Sequence, residues 1–280
     1  MRLRSLLFAP GDRLDLMEKA LGTGADALIL DLEDSVSLTH KEKARESVAD
    51  FLSRASRGVP LFVRINPSCS ALADDDLAAI VSAKPDGIVL PKAEGGQSLI
   101  DLDQKLNALG NTDAVILPIV TETPASMFAL GSFGGVTLRL CGLTWGVEDL
   151  SAAIGASTSR EEDGRYTGPY EVARSLLLFG AHAAGVPAIE TVYPAFGDGE
   201  GLKAYAKRGQ RDGFTGMLAI HPSQVPIINA AFTPSQTELV WAKRVVDLFD
   251  QNPGAGVLSL DGKMVDAPHL KQARRLLADK

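Results

Sequence analysis

The sequence has little cysteine, no long apolar run and no excess of positive charge, and each shortage excludes a class of protein. Cys69 and Cys141 are its two cysteines, so we predict no disulfide framework and a reducing compartment. No apolar run reaches about 18 residues, which predicts no membrane span. The formal net charge is −7, and no basic stripe offers a surface for nucleic-acid phosphates.

The N-terminal segment MRLRSLLFAPGDR combines basic residues with a short apolar stretch, as a signal peptide does. However, Pro10-Gly11 interrupts the stretch, charged residues follow it, and no small-residue cleavage site appears. We therefore interpret the segment as a first strand and expect a cytoplasmic protein.

Short apolar runs alternate with amphipathic stretches along most of the chain. Helical patterns include residues 12–24 and 39–55; in the first, Leu14, Met17 and Leu21 form one apolar face. This alternation predicts a parallel sheet buried on both faces. Eight candidate strands indicate a closed (β/α)8 TIM barrel, and no GxGxxG follows the first strand to favour an open doubly wound sheet. The candidate strands are 3–10, 27–34, 60–66, 87–92, 114–123, 139–146, 187–194 and 216–222.

The sequence predicts a barrel domain over residues 1–250 and a C-terminal extension over 251–280. A helix from about Ser235 to Phe249 precedes the linker QNPGAG, and a hairpin with a turn at Asp261-Gly262 then leads into a final helix. The extension packs on its own barrel or on a neighbouring subunit, and the sequence leaves both open. A polar segment at 157–171 predicts a mobile loop between strands six and seven.

Ionisable or polar side chains end the predicted strands from the second to the eighth. Because a barrel's active site lies at the carboxyl ends of its strands, we expect these side chains to converge on one mouth. A single strand-end carboxylate is about as often a helix cap or an ion-pair partner, but a whole series is harder to explain in that way. The series is Asp31, Glu33, Asp34, Arg64, Asn66, Lys92, Glu122, Glu148, Asp149, Glu190 and His221.

Two carboxylates in this series indicate a magnesium site. Glu122 and Asp149 follow adjacent predicted strands, and two carboxylates with room for water and substrate oxygens are a usual way to hold Mg²⁺. Zinc is disfavoured because no cluster of Cys and His has ligand spacing. The residues alone leave open whether Glu148 or Asp149 points inward, and Asp149 has an N-cap role as its alternative.

Arg64 lies between apolar neighbours in the segment VRIN. A buried arginine needs a carboxylate partner, and a substrate carboxylate is a natural bidentate one. An ion pair with Asp31 or Glu33 explains the residue equally well. With either partner, a cation and an arginine at one mouth suit the stabilisation of an enolate.

Seven segments occur in order along the chain: RSLLFAPGDR, LDLEDSV, VRIN, VLPKAE, PIVTET, WGVEDLSAAIG and GMLAIHPSQV. Together they resemble the citrate lyase β-subunit-like family of the HpcH/HpaI aldolase superfamily. The resemblance implies a barrel lyase, often trimeric, that acts with Mg²⁺ on malyl, citramalyl or citryl thioesters. The chain departs from the family at Glu190, where many relatives are expected to carry aspartate, so we expect one extra methylene at the mouth.

The resemblance also assigns roles to individual residues. Glu122 and Asp149 match the family's metal ligands, which favours Asp149 over Glu148. Arg64 matches an arginine that binds the substrate carboxylate or enolate. Three further matches complete the site: Arg13 and Lys19 for basic positions that contact CoA phosphates, and Asp266 for an aspartate that reaches a neighbouring subunit's active site.

The function hypothesis is therefore a Mg²⁺-dependent carbon–carbon lyase on a 3-hydroxyacyl CoA thioester, with Arg64, Glu122 and Asp266 as catalytic residues. Glu122 also contacts the substrate in this scheme. The first alternative is a class II pyruvate-type aldolase that uses free hydroxy-keto acids. The second is a citryl-acyl-carrier-protein lyase subunit of a multi-protein complex.

Overall fold

The computed structural model describes residues 1–54 and 58–278, and strands and helices alternate along most of this chain. All eight predicted barrel strands are present, each shorter than its predicted range. The strands are β1 (Ser5–Pro10), β2 (Ala27–Asp31), β3 (Leu61–Arg64), β4 (Gly87–Leu90), β5 (Val115–Pro118), β6 (Leu143–Thr144), β7 (Ala188–Glu190), β8 (Gly216–Ala219), β9 (Val257–Leu260) and β10 (Lys263–Asp266).

Helices connect the strands and cover the outside of the sheet. The predicted helix at 39–55 is observed as α2 (Lys41–Ser53), and Ala55 lies outside the described residues. The predicted loop at 157–171 is observed only as far as residue 167, because α6 (Gly168–Ala184) begins at the next residue. The helices are α1 (Leu14–Leu21), α2 (Lys41–Ser53), α3 (Leu72–Ile80), α4 (Gly96–Ala108), α5 (Glu148–Ile154), α6 (Gly168–Ala184), α7 (Gly199–Asp212), α8 (Gln224–Ala231), α9 (Gln236–Asp250) and α10 (Ala267–Ala278).

The first eight strands pair in parallel in the order β5-β4-β3-β2-β1-β8-β7-β6. Bridges from Ile116 to Leu140 and from Ile119 to Thr144 join the two outer strands. There the backbone N–H of Val120 donates to the carbonyl of Thr144 at 3.0 Å. These contacts complete the ring, so the predicted (β/α)8 TIM barrel is confirmed.

Alternation along the strands divides the barrel core into two layers. Ile29 and Phe62 belong to the cluster inside the barrel, whereas Leu28 and Val63 belong to the layer beneath the helices. A Cβ atom at Gly87 would lie 2.3 Å from the Phe62 ring, so glycine there leaves room for a large interior side chain.

The same alternation places two charged side chains, those of Asp31 and Arg64, on the interior face of the barrel. Asp31 follows Ile29 by two residues on β2, and Arg64 follows Phe62 by two residues on β3. Side chains two apart on a strand face the same side. The two strands therefore end with opposite charges on the interior face, paired in register.

The predicted position of Glu190 at the barrel mouth is wrong. Ile189 faces the interior, so Glu190, the next residue, faces the surrounding helices and is fully buried there. Its Oε1 accepts hydrogen bonds from Trp145 Nε1 at 2.6 Å and from the Tyr205 hydroxyl at 2.8 Å. Its Oε2 accepts one from Arg174 Nε at 2.7 Å. Glu190 is therefore a structural partner of the helices.

The chain forms two compact units, with a boundary between Phe232 and Thr233. The first two residues, Met1–Arg2, belong to the C-terminal unit. In that unit α9, α10 and the β9–β10 hairpin share one core. The hairpin turns at Asp261 and Gly262, both with positive φ, as a two-residue type I′ turn requires. The predicted hairpin and final helix are confirmed, and the predicted domain boundary at residue 250 stays a prediction.

Among residues 1–54 and 58–278, no helix combines the length and the apolar character that crossing a membrane requires.

Candidate active site

A cavity of about 440 Å³ opens at the carboxyl ends of the barrel strands. Because residues at or after the ends of several strands line it, the cavity collects side chains far apart in sequence. One part of its lining is charged and another is apolar. The charged side chains are Asp31, Asp34, Arg64, Glu122, Glu148 and Asp149, and the apolar ones include Phe8, Ile119, Trp145, Val192 and Leu218.

Arg64 forms the ion pair that the sequence left as one of two alternatives. Its Nε and Nη2 donate to the two carboxylate oxygens of Asp31, each at 2.7 Å, and its guanidinium lies 4.8 Å above the Phe8 ring. Nη1 is left over and lies 3.1 Å from Glu33 Oε2. Burial disfavours the charge of Asp31, but Arg64 outweighs it and lowers the pKa of that carboxyl. The ion pair with Asp31 holds Arg64 in place through Nε and Nη2. The third guanidinium nitrogen, Nη1, makes no hydrogen bond to Asp31.

Lys92 lies beside the cavity lining and links three carboxylates. Its Nζ lies 2.9 Å from Glu33 Oε1 and 3.2 Å from Asp149 Oδ1, and its backbone N–H donates to Glu122 Oε2 at 2.6 Å. Lys92 has φ of +52°, a left-handed conformation that costs free energy for a residue other than glycine. Burial alone lowers the pKa of Lys92, but its carboxylate neighbours raise it overall, so the ammonium stays charged.

Glu122 is a strongly perturbed acid of the cavity. Its side chain is 5% exposed, and a Cβ atom at Gly146 would lie 2.9 Å from its Cγ, so only glycine fits beside it. Burial raises the pKa of Glu122 to about 8; the Lys92 N–H opposes the rise, while Glu33 and Asp149 add to it. A carboxyl in this environment is stabilised as an anion only when more positive charge arrives.

The donor set of the cavity fits a hard divalent cation. Glu122 and Asp149 line the same space, as predicted, and the buried Glu33 Oε2 accepts no hydrogen bond from the described residues. Within that part of the chain, no three His, Cys, Asp or Glu side chains form a ready ligand cluster. Two protein carboxylates would leave the other positions to water and substrate oxygens, which is the usual coordination of Mg²⁺ and unlike that of zinc.

Several predicted residues lie away from the cavity lining. Arg13 and Lys19 are exposed, and Arg13 pairs with Asp15 at 3.0 Å. Asn66 is buried, where its side chain bonds to Asp76 and Lys41. The exposed His221 bonds to Ser223. The predicted convergence of strand ends therefore holds for part of the series, and the CoA contacts of Arg13 and Lys19 stay a prediction.

Asp266 belongs to the C-terminal unit and directly precedes α10. Its Oδ1 accepts from the backbone N–H of His269 at 3.4 Å, which is the contact of an N-cap with the third helical residue. The His269 Nδ1 lies 2.5 Å from the same oxygen. This hydrogen bond lowers the pKa of Asp266. A cap role thus accounts for Asp266 locally, and its predicted role at a neighbouring active site stays a prediction.

The sequence did not predict how three residues at or beside the cavity act. Lys92 and Glu33 were recognised as strand-end residues, and Glu33 as a possible partner of Arg64. Their ion pair depends on the left-handed backbone of Lys92, which no sequence pattern indicates. Tyr166 lies in the segment predicted as a mobile loop, although its ring is 5% exposed and lines the cavity. The available signal in this polar, Gly-containing segment was its two tyrosines, Tyr166 and Tyr170.

Glu122 predicts a pH-dependent stability in the metal-free protein. Its pKa is about 8 in the folded protein against an ordinary value of 4.5, so between these values the folded state holds a proton that the unfolded chain has released. The free energy of unfolding therefore falls as pH rises through this window. Urea unfolding in EDTA should show a steeper fall for wild type than for Glu122→Gln.

Glu148→Gln is the matched control, because Glu148 is an exposed carboxylate on the same cavity. It should keep the wild-type slope. Equal slopes for wild type and Glu122→Gln would contradict the prediction.

Comparisons with known proteins agree with this architecture. A sequence model of the HpcH/HpaI aldolase/citrate lyase family matches residues 4–222. The citrate lyase subunit beta-like protein of Mycobacterium tuberculosis is 35% identical over 97% of this chain and 93% of its own length. A (3S)-malyl-CoA thioesterase of Cereibacter sphaeroides is 35% identical over 98% of this chain and 93% of its own.

Among solved structures, CitE of Mycobacterium tuberculosis in complex with magnesium, acetoacetate and coenzyme A is similar to this chain with a TM-score of 0.83. The two are 33% identical, and the match covers 99% of this chain and 98% of that one. The chain therefore belongs to the HpcH/HpaI aldolase/citrate lyase family, an enzyme family with lyase activity.

Proposed function

We propose that this protein is a Mg²⁺-dependent carbon–carbon lyase that cleaves or forms a 3-hydroxyacyl CoA thioester, with a 2-keto acid and an acyl-CoA as the other side of the reaction. The proposal rests on one observation: Glu122, Asp149 and Arg64, which is held by Asp31, line the same cavity. Two similar proteins support the substrate class: a (3S)-malyl-CoA thioesterase and a CitE structure with magnesium, acetoacetate and coenzyme A.

Glu122 and Asp149 are the residues that would hold the cation. When bound, Mg²⁺ supplies Lewis-acid stabilisation of the negative charge that develops on substrate oxygens. The raised pKa of Glu122 supports this assignment, because a carboxyl crowded by Glu33 and Asp149 gains most from added positive charge. Lys92 neutralises part of the same cluster and fixes Glu122 through its backbone N–H.

Arg64 binds and orients the substrate carboxylate in this scheme. Asp31 occupies Nε and Nη2, so the guanidinium keeps one orientation at the cavity wall, with Nη1 beside Glu33 and Asp34. A donor held in this way needs little reorganisation when charge develops. The apolar lining formed by Phe8, Ile119 and Leu218 excludes water from the acyl part and strengthens these interactions.

Proton transfer is assigned to Asp266 of a neighbouring subunit in a homotrimer or higher homo-oligomer. The His269 hydrogen bond lowers the pKa of Asp266, which favours a proton-accepting or water-ordering role over donation. Water activated in this way would also support hydrolysis of the thioester product. The compartment we propose is the reducing cytoplasm, since Cys69 and Cys141 are both free thiols.

The metal assignment predicts that Glu122→Gln and Asp149→Asn lose Mg²⁺ binding and cleavage together. We expect kcat/KM to fall by about 100-fold or more, because several kcal/mol of charge stabilisation disappear. Calorimetric titration with Mg²⁺ and a screen of malyl-, citramalyl- and citryl-CoA, with detection of the released keto acid, measure both effects. Glu148→Gln is the control and should retain both. Unchanged cleavage in the two ligand variants would overturn the assignment.

The CoA assignment predicts that the double variant Arg13→Ala, Lys19→Ala raises KM for the thioester roughly tenfold and leaves kcat unchanged, since phosphate contacts act on binding. Lys43→Ala removes another exposed lysine, from α2, and should have no effect. Cleavage of free hydroxy-keto acids, with no response to CoA, would instead indicate the class II aldolase. A purified protein that cleaves a CoA ester alone excludes the acyl-carrier-protein subunit.

The Asp266 assignment predicts complementation between inactive chains. Asp266→Asn and Glu122→Gln are each inactive alone, but a mixed oligomer contains intact barrels that face an intact Asp266. Random 1:1 mixing after reversible dissociation should restore about one quarter of wild-type activity if each site is built from two subunits. Mixing Asp266→Asn with the Asp266→Asn, Glu122→Gln double variant is the control without recovery. If no activity returns in the test mixture, Asp266 does not act in trans.

A further inference from the structure

We infer that Tyr166 determines the size of the substrate side group that the cavity accepts, and that Arg160 holds it in position. This inference rests on the proposed function for the identity of the substrate, a 2-keto acid half beside the Glu122 carboxylate. Tyr166 comes from the segment between α5 and α6 and not from a strand end. Its ring is 5% exposed and lines the cavity.

Tyr166 packs against aromatic side chains that are themselves held in position. Its ring meets the Trp145 ring edge-on, with centroids 5.2 Å apart and planes at 63°, and it meets Tyr205 in the same way at 6.1 Å. Trp145 is itself fixed, because its indole N–H donates to the buried Glu190 at 2.6 Å. A substrate group that presses on Tyr166 therefore meets a rigid stack of aromatic rings.

Arg160 covers a face of the Tyr166 ring. Its guanidinium lies 4.0 Å over the Tyr166 ring, and its Nη2 donates to the Tyr166 hydroxyl at 2.8 Å. Its Nη1 donates to the carbonyl of Gly164 at 2.7 Å, which ties the side chain to its own loop. Rotation of Tyr166 out of the cavity would break the cation–π contact and the hydroxyl bond together.

The loop backbone is paired around the same two residues. Arg160 and Tyr166 form an antiparallel bridge. The N–H of Thr167 donates to Ser159 at 3.0 Å, and the N–H of Glu161 donates to Arg165 at 2.8 Å. These backbone hydrogen bonds hold the segment in a closed turn, and Tyr166 is part of that turn.

The aromatic wall adjoins the metal-binding carboxylate. Gly146 follows Trp145 directly, and a Cβ atom there would lie 2.9 Å from Glu122 Cγ. Glu122, Trp145 and Tyr166 line the same cavity, so a substrate held at Glu122 shares that space with the Trp145–Tyr166 pair. A fixed apolar wall discriminates by about 10- to 200-fold per methylene, so Tyr166 is in a position to separate small side groups from large ones.

The test measures the binding of 2-keto acids with hydrogen, methyl, ethyl and isopropyl side groups, namely glyoxylate, pyruvate, 2-oxobutyrate and 2-oxoisovalerate, by calorimetry with saturating Mg²⁺. Tyr166→Ala should raise the ratio of 2-oxoisovalerate to glyoxylate affinity by about tenfold or more, because the ring is lost. Tyr166→Phe should keep the wild-type ratio within about twofold, since the ring remains. Arg160→Met should shift the ratio in the same direction by a smaller factor and covers the case in which Tyr166→Ala fails to fold.

Binding of keto acids separates this inference from the proposed function. Keto-acid binding without cleavage of any CoA ester defeats the lyase proposal, while the shift in ratio still supports Tyr166. Cleavage of CoA esters with an unchanged ratio in both Tyr166→Ala and Arg160→Met overturns the Tyr166 inference alone. Wild-type protein that binds no keto acid with Mg²⁺ overturns both.

Discussion

The closed parallel barrel imposes one constraint on which the rest of the site depends: side chains two residues apart on a strand must share a face. Ile29 and Phe62 fill the interior, so Asp31 and Arg64 must also point inward, where each strand reaches the mouth. A lone charge there would be costly, and the two strands remove that cost by ending in a bidentate pair. The pairing of β2 with β3 therefore builds the anchored guanidinium of the cavity.

Beyond this pair, the mouth holds more carboxylate charge than its own cations neutralise. Glu33, Glu122 and Asp149 share the single ammonium of Lys92. Burial raises the pKa of Glu122, and the charges of Glu33 and Asp149 add to the rise. Glu33 Oε2 accepts no hydrogen bond from the described residues, although Arg64 Nη1 lies within ion-pair distance of it. The strained backbone of Lys92 is maintained because it brings its N–H and its Nζ to this cluster at once. A bound divalent cation would neutralise the remaining carboxylate charge at the mouth. The excess of negative charge in the folded chain therefore favours metal binding.

The aromatic side of the cavity depends on a residue that lies outside it. Glu190 faces the helices, where Trp145, Tyr205 and Arg174 donate to its two oxygens. It thereby fixes the indole against which Tyr166 packs. The longer side chain of glutamate at this position acts on the helix layer, one layer behind the cavity lining. The cavity lining and its support are thus divided between the two faces of the barrel strands.

Local pattern was sufficient to predict the eight strands, the hairpin turn at Asp261-Gly262 and the shared cavity of Glu122 and Asp149. Periodicity and turn chemistry act over a few residues and are visible in one dimension. The resemblance to a family, carried by seven segments, added the roles of individual residues.

Three features were decided only by tertiary structure: the choice of Asp31 as the partner of Arg64, the outward turn of Glu190 and the wall formed by Tyr166. Each depends on which neighbour a side chain meets across strands or across a loop. Sequence determined which chemical groups the barrel mouth and its loops would contain. Folding decided which of them touch, because the free energy of a charge or a ring depends on partners brought together from distant parts of the chain.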